Sequence, residues 1–135
     1  MQAVGYGAYQ RVQAETSPPG EVIVLLYDAL LKNLHRALAA LESGDSAKVS
    51  EALTRAQDIT LELRTSLVAG TELAEELLPL YTYVFRTLVL ANVNKDTVGI
   101  HEVEAVVTPI RDAWAFAVRG ETPPSGLPVS EATDA

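Results

Sequence analysis

A chain of 135 residues that is 48% apolar and 21% charged has material for one hydrophobic core, and this composition excludes both wholesale disorder and a fibrous repeat. Eighteen acids against ten bases leave a net charge of −8, and the bases are scattered singly, so a nucleic-acid backbone would be repelled and no nucleic-acid partner is expected. The absence of cysteine removes disulfides, thiolate metal ligands and a cysteine nucleophile, which suits a reducing compartment.

Residues 1–18 read as an irregular, flexible arm containing Gly5, Gly7 and Pro18, with two aromatics, Tyr6 and Tyr9, about one helical turn apart. The longest uncharged stretch, Met1 to Gln10, lies in this arm. It falls well short of the roughly 18 apolar residues that span a bilayer and lacks a basic start, so neither membrane insertion nor a secretory signal is expected. The cytoplasm is the default location.

Four segments then repeat apolar residues at intervals of three and four, the pattern of helices with one face turned to a core, and no strand is expected. The first runs from about Pro19 to Glu42, with Ile23, Leu26, Tyr27, Leu30, Leu34, Leu38 and Leu41 inward, and ends at Ser43-Gly44-Asp45. Asp45 or Ser46 caps the second, about Ser46 to Val68, which carries Val49, Ala52, Leu53, Ala56, Ile59, Leu63 and Leu67, with Gly70 as a left-handed stop. In the third, Leu73, Leu77, Leu80, Tyr81, Val84, Leu88 and Ala91 face inward up to Asn92. Thr71 and Ala74 do not make a capping box, although Glu72, Glu75 and Glu76 favour a helix N-terminus there. Pro79 requires either a start near Leu78 or a kink. After the polar break Asn94-Lys95-Asp96-Thr97, the fourth helix carries Val103, Val106, Val107, Ile110, Ala113, Trp114 and Ala117, and Pro109 predicts a bend near Val106. Helices of about 20 residues are roughly 30 Å long, and the short links make neighbours antiparallel. The expected fold is therefore all-α, an antiparallel up-down four-helix bundle over 19–119. Residues 120–135, with three of the seven prolines, read as a disordered tail.

Nothing in this pattern supplies chemistry. A di-metal carboxylate site needs Glu-x-x-His on two helices, whereas His35 follows Lys32 and His101 follows Val98 at that spacing, so each His is read as a surface or helix-end residue. His101-Glu102-x-Glu104 is read as a solvated first turn. No Gly-x-Ser-x-Gly turn, phosphate cradle or paired nucleophile is present, so no enzyme, cofactor or metal is expected. Tyr27 is read as a core tyrosine whose hydroxyl reaches a polar partner, Asp28 as exposed, and Trp114 as core filling.

The anomaly is surplus apolar surface. Val22-Ile23-Val24-Leu25-Leu26 is apolar around the whole helix, and Leu78, Phe85 and Val89 form a second stripe beside the core face of the third helix. Three covers are consistent with this surplus: the tyrosine-bearing arm itself, an external amphipathic segment for which the arm is a removable lid, or a second copy in a homodimer scaffold.

Six pieces of the chain, in order, carry a family resemblance. They are Ala8-Tyr9-Gln10-x-Val12; Thr16-Ser17-Pro18 with Glu21-x-Ile23-x-x-Leu26-Tyr27-Asp28; Ala56-Gln57-Asp58-Ile59; Tyr81-x-Tyr83 with Arg86-x-Leu88 and Ala91-Asn92; Glu102-Val103-Glu104; and Arg111-Asp112-Ala113-Trp114. Over about residues 6 to 118 the chain resembles the flagellar secretion chaperone family, known as FliS. The resemblance implies an antiparallel helical bundle that holds flagellin in the cytoplasm by its C-terminal segment, prevents premature polymerisation and delivers it to the flagellar export apparatus. It makes an anti-sigma factor a weaker partner. Read with the apolar surplus, it makes Tyr6, Tyr9, Val22, Leu25, Leu78, Phe85 and Val89 the candidate partner-binding residues. The chain departs from the family pattern at Ala29, where glycine is usual, and at Pro79 and Pro109.

Overall fold

A computed structural model describes residues 19–120, and within them the regular structure is α-helix alone: α1 Pro19–Ser43, α2 Ser46–Thr65, α3 Glu72–Asn94 and α4 Val98–Val118. The all-α expectation holds. The expected arm and tail, with Tyr6 and Tyr9, lie outside the described residues.

The helix boundaries follow local chemistry. Asp45 is the N-cap of α2, its carboxylate accepting from the Lys48 amide at 3.1 Å. α2 stops at Thr65, three residues before Val68. The Ser66 hydroxyl donates to the Leu63 carbonyl at 2.6 Å, and the Thr71 hydroxyl donates to the Val68 carbonyl at 2.8 Å, drawing both carbonyls into a turn. Gly70 does take a left-handed conformation, φ +86°, but in this connection rather than at the helix end. The Thr71 hydroxyl also accepts from the Ala74 amide at 3.1 Å, so this lone threonine caps α3 without the reciprocal acid of a capping box. α3 therefore starts at Glu72, not near Leu78, with Pro79 inside it, and α4 runs on through Pro109.

At the other end α3 extends to Asn94. Lys95 takes a left-handed conformation, φ 51° and ψ 49°, and folds its ammonium back onto the helix C-terminus. Its Nζ donates to the Asn92 carbonyl at 2.6 Å, to Asn92 Oδ1 at 2.7 Å and to Ser50 Oγ of α2 at 3.2 Å. A cation is favoured at the negative end of the helix dipole, and its three protons all find acceptors here, which is why a residue other than glycine occupies the position.

The chain divides into two compact units, one of Met1–Leu25 with Pro109–Ala135 and the other of Leu26–Thr108. In the second, α2 packs on α3, and Ser50 near the start of α2 bonds Asn92 near the end of α3, so the two run antiparallel. α3 and α4 are also antiparallel: Tyr83 reaches Glu102, while a Cβ at Gly99 would stand 3.2 Å from Thr87 Cγ2 and 3.3 Å from Ala91 Cβ. Leu30, Leu34, Leu53, Leu63, Val84, Leu88, Ile100, Val103 and Val107 are fully buried in this unit. In the first unit, the opening turn of α1 meets the last turns of α4. A Cβ at Gly20 would lie 2.8 Å from Val118 Cγ2, with Trp114 just beyond at 3.8 Å.

Two residues that the periodicity places inward are exposed, and Leu26, Leu38, Leu41, Ile59, Leu67, Leu80, Val106 and Ile110 are only half-buried. Leu73 is 44% exposed, because α3 begins only one residue before it, and Ala117 is exposed near the end of α4. Trp114 is half-buried rather than core filling. Asn33 is buried instead, its amide donating to the Ala29 carbonyl at 2.9 Å and its Oδ1 without a protein partner.

Candidate partner-binding site

The two tyrosines of the core come first, because they decide what is available for chemistry. Tyr27 of α1 and Tyr81 of α3 are 0% and 3% exposed, and their hydroxyls meet at 2.6 Å. Burial pushes both phenols above their ordinary pKa. For Tyr27 the neighbouring Tyr81 adds to the rise, whereas for Tyr81 the bond from Tyr27 partly offsets it. Both stay neutral, each satisfying the other, and the pair is structural. Tyr27→Phe is expected to cost about 1 to 2 kcal/mol by stranding the Tyr81 hydroxyl, and the double change to Phe to recover most of that, since removing both partners leaves no orphan. Urea unfolding of the two single variants and the double variant measures the coupling.

The surface of the second unit carries the predicted α3 stripe. Leu78 is 46% exposed, and Phe85 and Val89 are half-buried, at spacings of seven and four that keep them on one face of the helix. The stripe is longer than expected: Val93, four residues beyond Val89, is 72% exposed, and Leu90 beside it is 53% exposed. The sequence signal for Val93 is present, since the four-residue step from Phe85 to Val89 continues to it. In the first unit Leu25 is 66% exposed and Val22 half-buried, so the apolar start of α1 keeps an open side.

The polar surface differs from its expected reading in one respect. His35 and His101 are exposed, as expected, but both reach the same carboxylate, Glu104. No group of three or more His, Cys, Asp or Glu suited to hold a metal ion is found among the described residues. Lys32, His35 and Arg36 share a shallow depression on α1 with Asp28, Leu31 and Ala39. No described helix is long and apolar enough to cross a membrane.

An all-α protein with an open apolar stripe presents the kind of surface on which other polypeptides dock. Comparison with known proteins supplies the class more narrowly. Residues 1–121 match the family model described as flagellar protein FliS, and the chain belongs to the FliS family. It is 40% identical over 116 residues to a flagellar secretion chaperone FliS of Bacillus subtilis, covering 86% of this chain and 87% of that one. It is 35% identical over 119 residues to that of Salmonella typhimurium, covering 83% and 88%, and 31% identical over 119 residues to that of Escherichia coli, also covering 83% and 88%.

Proposed function

We propose that this chain is a cytoplasmic export chaperone that binds the C-terminal segment of flagellin, keeps it from polymerising prematurely and supports its delivery to the flagellar export apparatus. The observation that carries the reading is the open apolar stripe of α3, Leu78, Phe85 and Val89, in a chain of the flagellar chaperone family. An amphipathic segment laid on such a face buries its own apolar side and becomes helical. The entropy lost on ordering holds the affinity at a level that permits release. Val22 and Leu25 provide a second apolar contact, and Tyr6 and Tyr9 of the N-terminal arm belong to the partner-binding set. The role is binding, with no bond made or broken; an anti-sigma factor is a secondary partner.

Calorimetry of the full chain with the C-terminal segment of flagellin tests the reading. Saturable binding with a negative heat-capacity change and a gain in helicity is expected, with no binding by flagellin lacking that segment. Binding that ignores the truncation would refute it. Sedimentation of the chain alone separates the homodimer scaffold: a dimer that persists when the segment is added would place a second copy on the stripe.

A further inference from the structure

The second unit contains a cluster of titratable groups that reaches from one helix to another and that client binding does not use. Glu104 of α4 offers both carboxylate oxygens to imidazoles: Oε2 lies 2.6 Å from His35 Nε2 on α1, and Oε1 lies 3.5 Å from His101 Nδ1, one turn earlier on α4. We propose that His35, Glu104 and His101 form a proton-operated clasp between α1 and α4, tightening as the imidazoles take up protons.

Histidine is the side chain whose charge ordinarily changes between about pH 5 and 8, and a hydrogen bond to a carboxylate is roughly twice as strong when the donor is charged. Neutral His35 donates to Glu104 as a dipole; protonated, it keeps the same bond and adds a full charge. Lys32, Arg36 and Asp28 line the same depression of α1 as His35, and Glu102 adjoins His101 on α4. Glu102 itself accepts from the Tyr83 hydroxyl of α3 at 3.3 Å. One carboxylate serves two imidazoles, and the contact with His35 is the closer of the two.

The carboxylate sets the acid limit. Glu104 is held below its ordinary value of 4.5, chiefly by the hydrogen bond from His35, with partial burial opposing. A depressed carboxylate stabilises the fold above its unfolded value, and the contribution disappears as pH falls through the lowered value. The clasp therefore works in a window closed below by protonation of Glu104 and above by loss of the imidazole protons.

Urea unfolding of the full chain across this window tests the clasp, with His35→Gln as the main variant because glutamine keeps an N–H donor but takes up no proton. Near pH 8 the wild type and His35→Gln are expected to match. Near pH 5.5 the wild-type folding constant should exceed the variant's by about two- to fivefold, the range that an exposed ion pair produces. Glu104→Gln should abolish the dependence, and His101→Gln should remove a smaller part than His35→Gln. Ratios of wild type to variant that stay constant between the two pH values would overturn the clasp and leave only a pH-independent surface contact.

Discussion

A chain carrying Phe85→Asp is expected to lose at least about a hundredfold in affinity for the flagellin C-terminal segment while its far-ultraviolet circular dichroism stays that of the helical chain. Covering a phenylalanine is worth about 1.5 to 3 kcal/mol, and an aspartate in its place must also shed water without a partner, so the two terms together exceed the roughly 2.7 kcal/mol that a hundredfold change requires. Phe85 is half-buried in the free chain, and part of the change falls on folding itself. Leu78→Asp removes that ambiguity. Leu78 is already 46% exposed, so a charge there costs the free chain little, and any loss of binding reports the partner's contact. Unchanged affinity in both variants would clear the α3 stripe of client binding.

The stripe was legible because helical spacing is local: seven and four residues fix a face whatever the tertiary structure does. The same logic placed Ile23, Tyr27, Leu30, Leu34, Val84, Leu88, Val103 and Val107 in the interior correctly. What was not legible depends on contacts far apart in the chain or on single hydroxyls. Tyr27 was expected to find a polar partner, but nothing marks Tyr81, fifty-four residues away, as that partner. His35 and Glu104 are separated by sixty-nine residues and carry no shared motif, so each reads as a solvated charge until the packing of α1 and α4 brings them together. Ser66 and Thr71 are a different failure. Their side chains compete for nearby backbone groups, which ends α2 before Val68 and caps α3 at Thr71, and apolar periodicity has no means of reporting that. Asn33 carries no apolar signal, so periodicity is silent on it, and the fold encloses it.

Pro79→Ala is expected to stabilise the chain by about 2 to 3 kcal/mol, the penalty that a proline imposes in a helix interior relative to alanine. α3 spans Glu72–Asn94, which puts Pro79 well past the first turn, where a proline would be harmless. It removes the backbone bond that would close onto the Glu75 carbonyl and sets its ring against that same carbonyl. The ring is exposed, so exchanging it for a methyl group opens no cavity to offset the gain. Urea unfolding with an unchanged slope and a higher midpoint is the expected result, and a gain below about 0.5 kcal/mol would mean that the helix already absorbs the proline without strain. Pro109 in α4 is the useful contrast. It is half-buried, so Pro109→Ala loses side-chain contact along with the backbone penalty and should gain less. A proline kept at such a cost next to Leu78, on the surface proposed for the client, is expected to shape that surface. The more stable Pro79→Ala chain should therefore bind the flagellin segment less tightly than the parent, the trade-off found where a site is held in a locally unfavourable conformation.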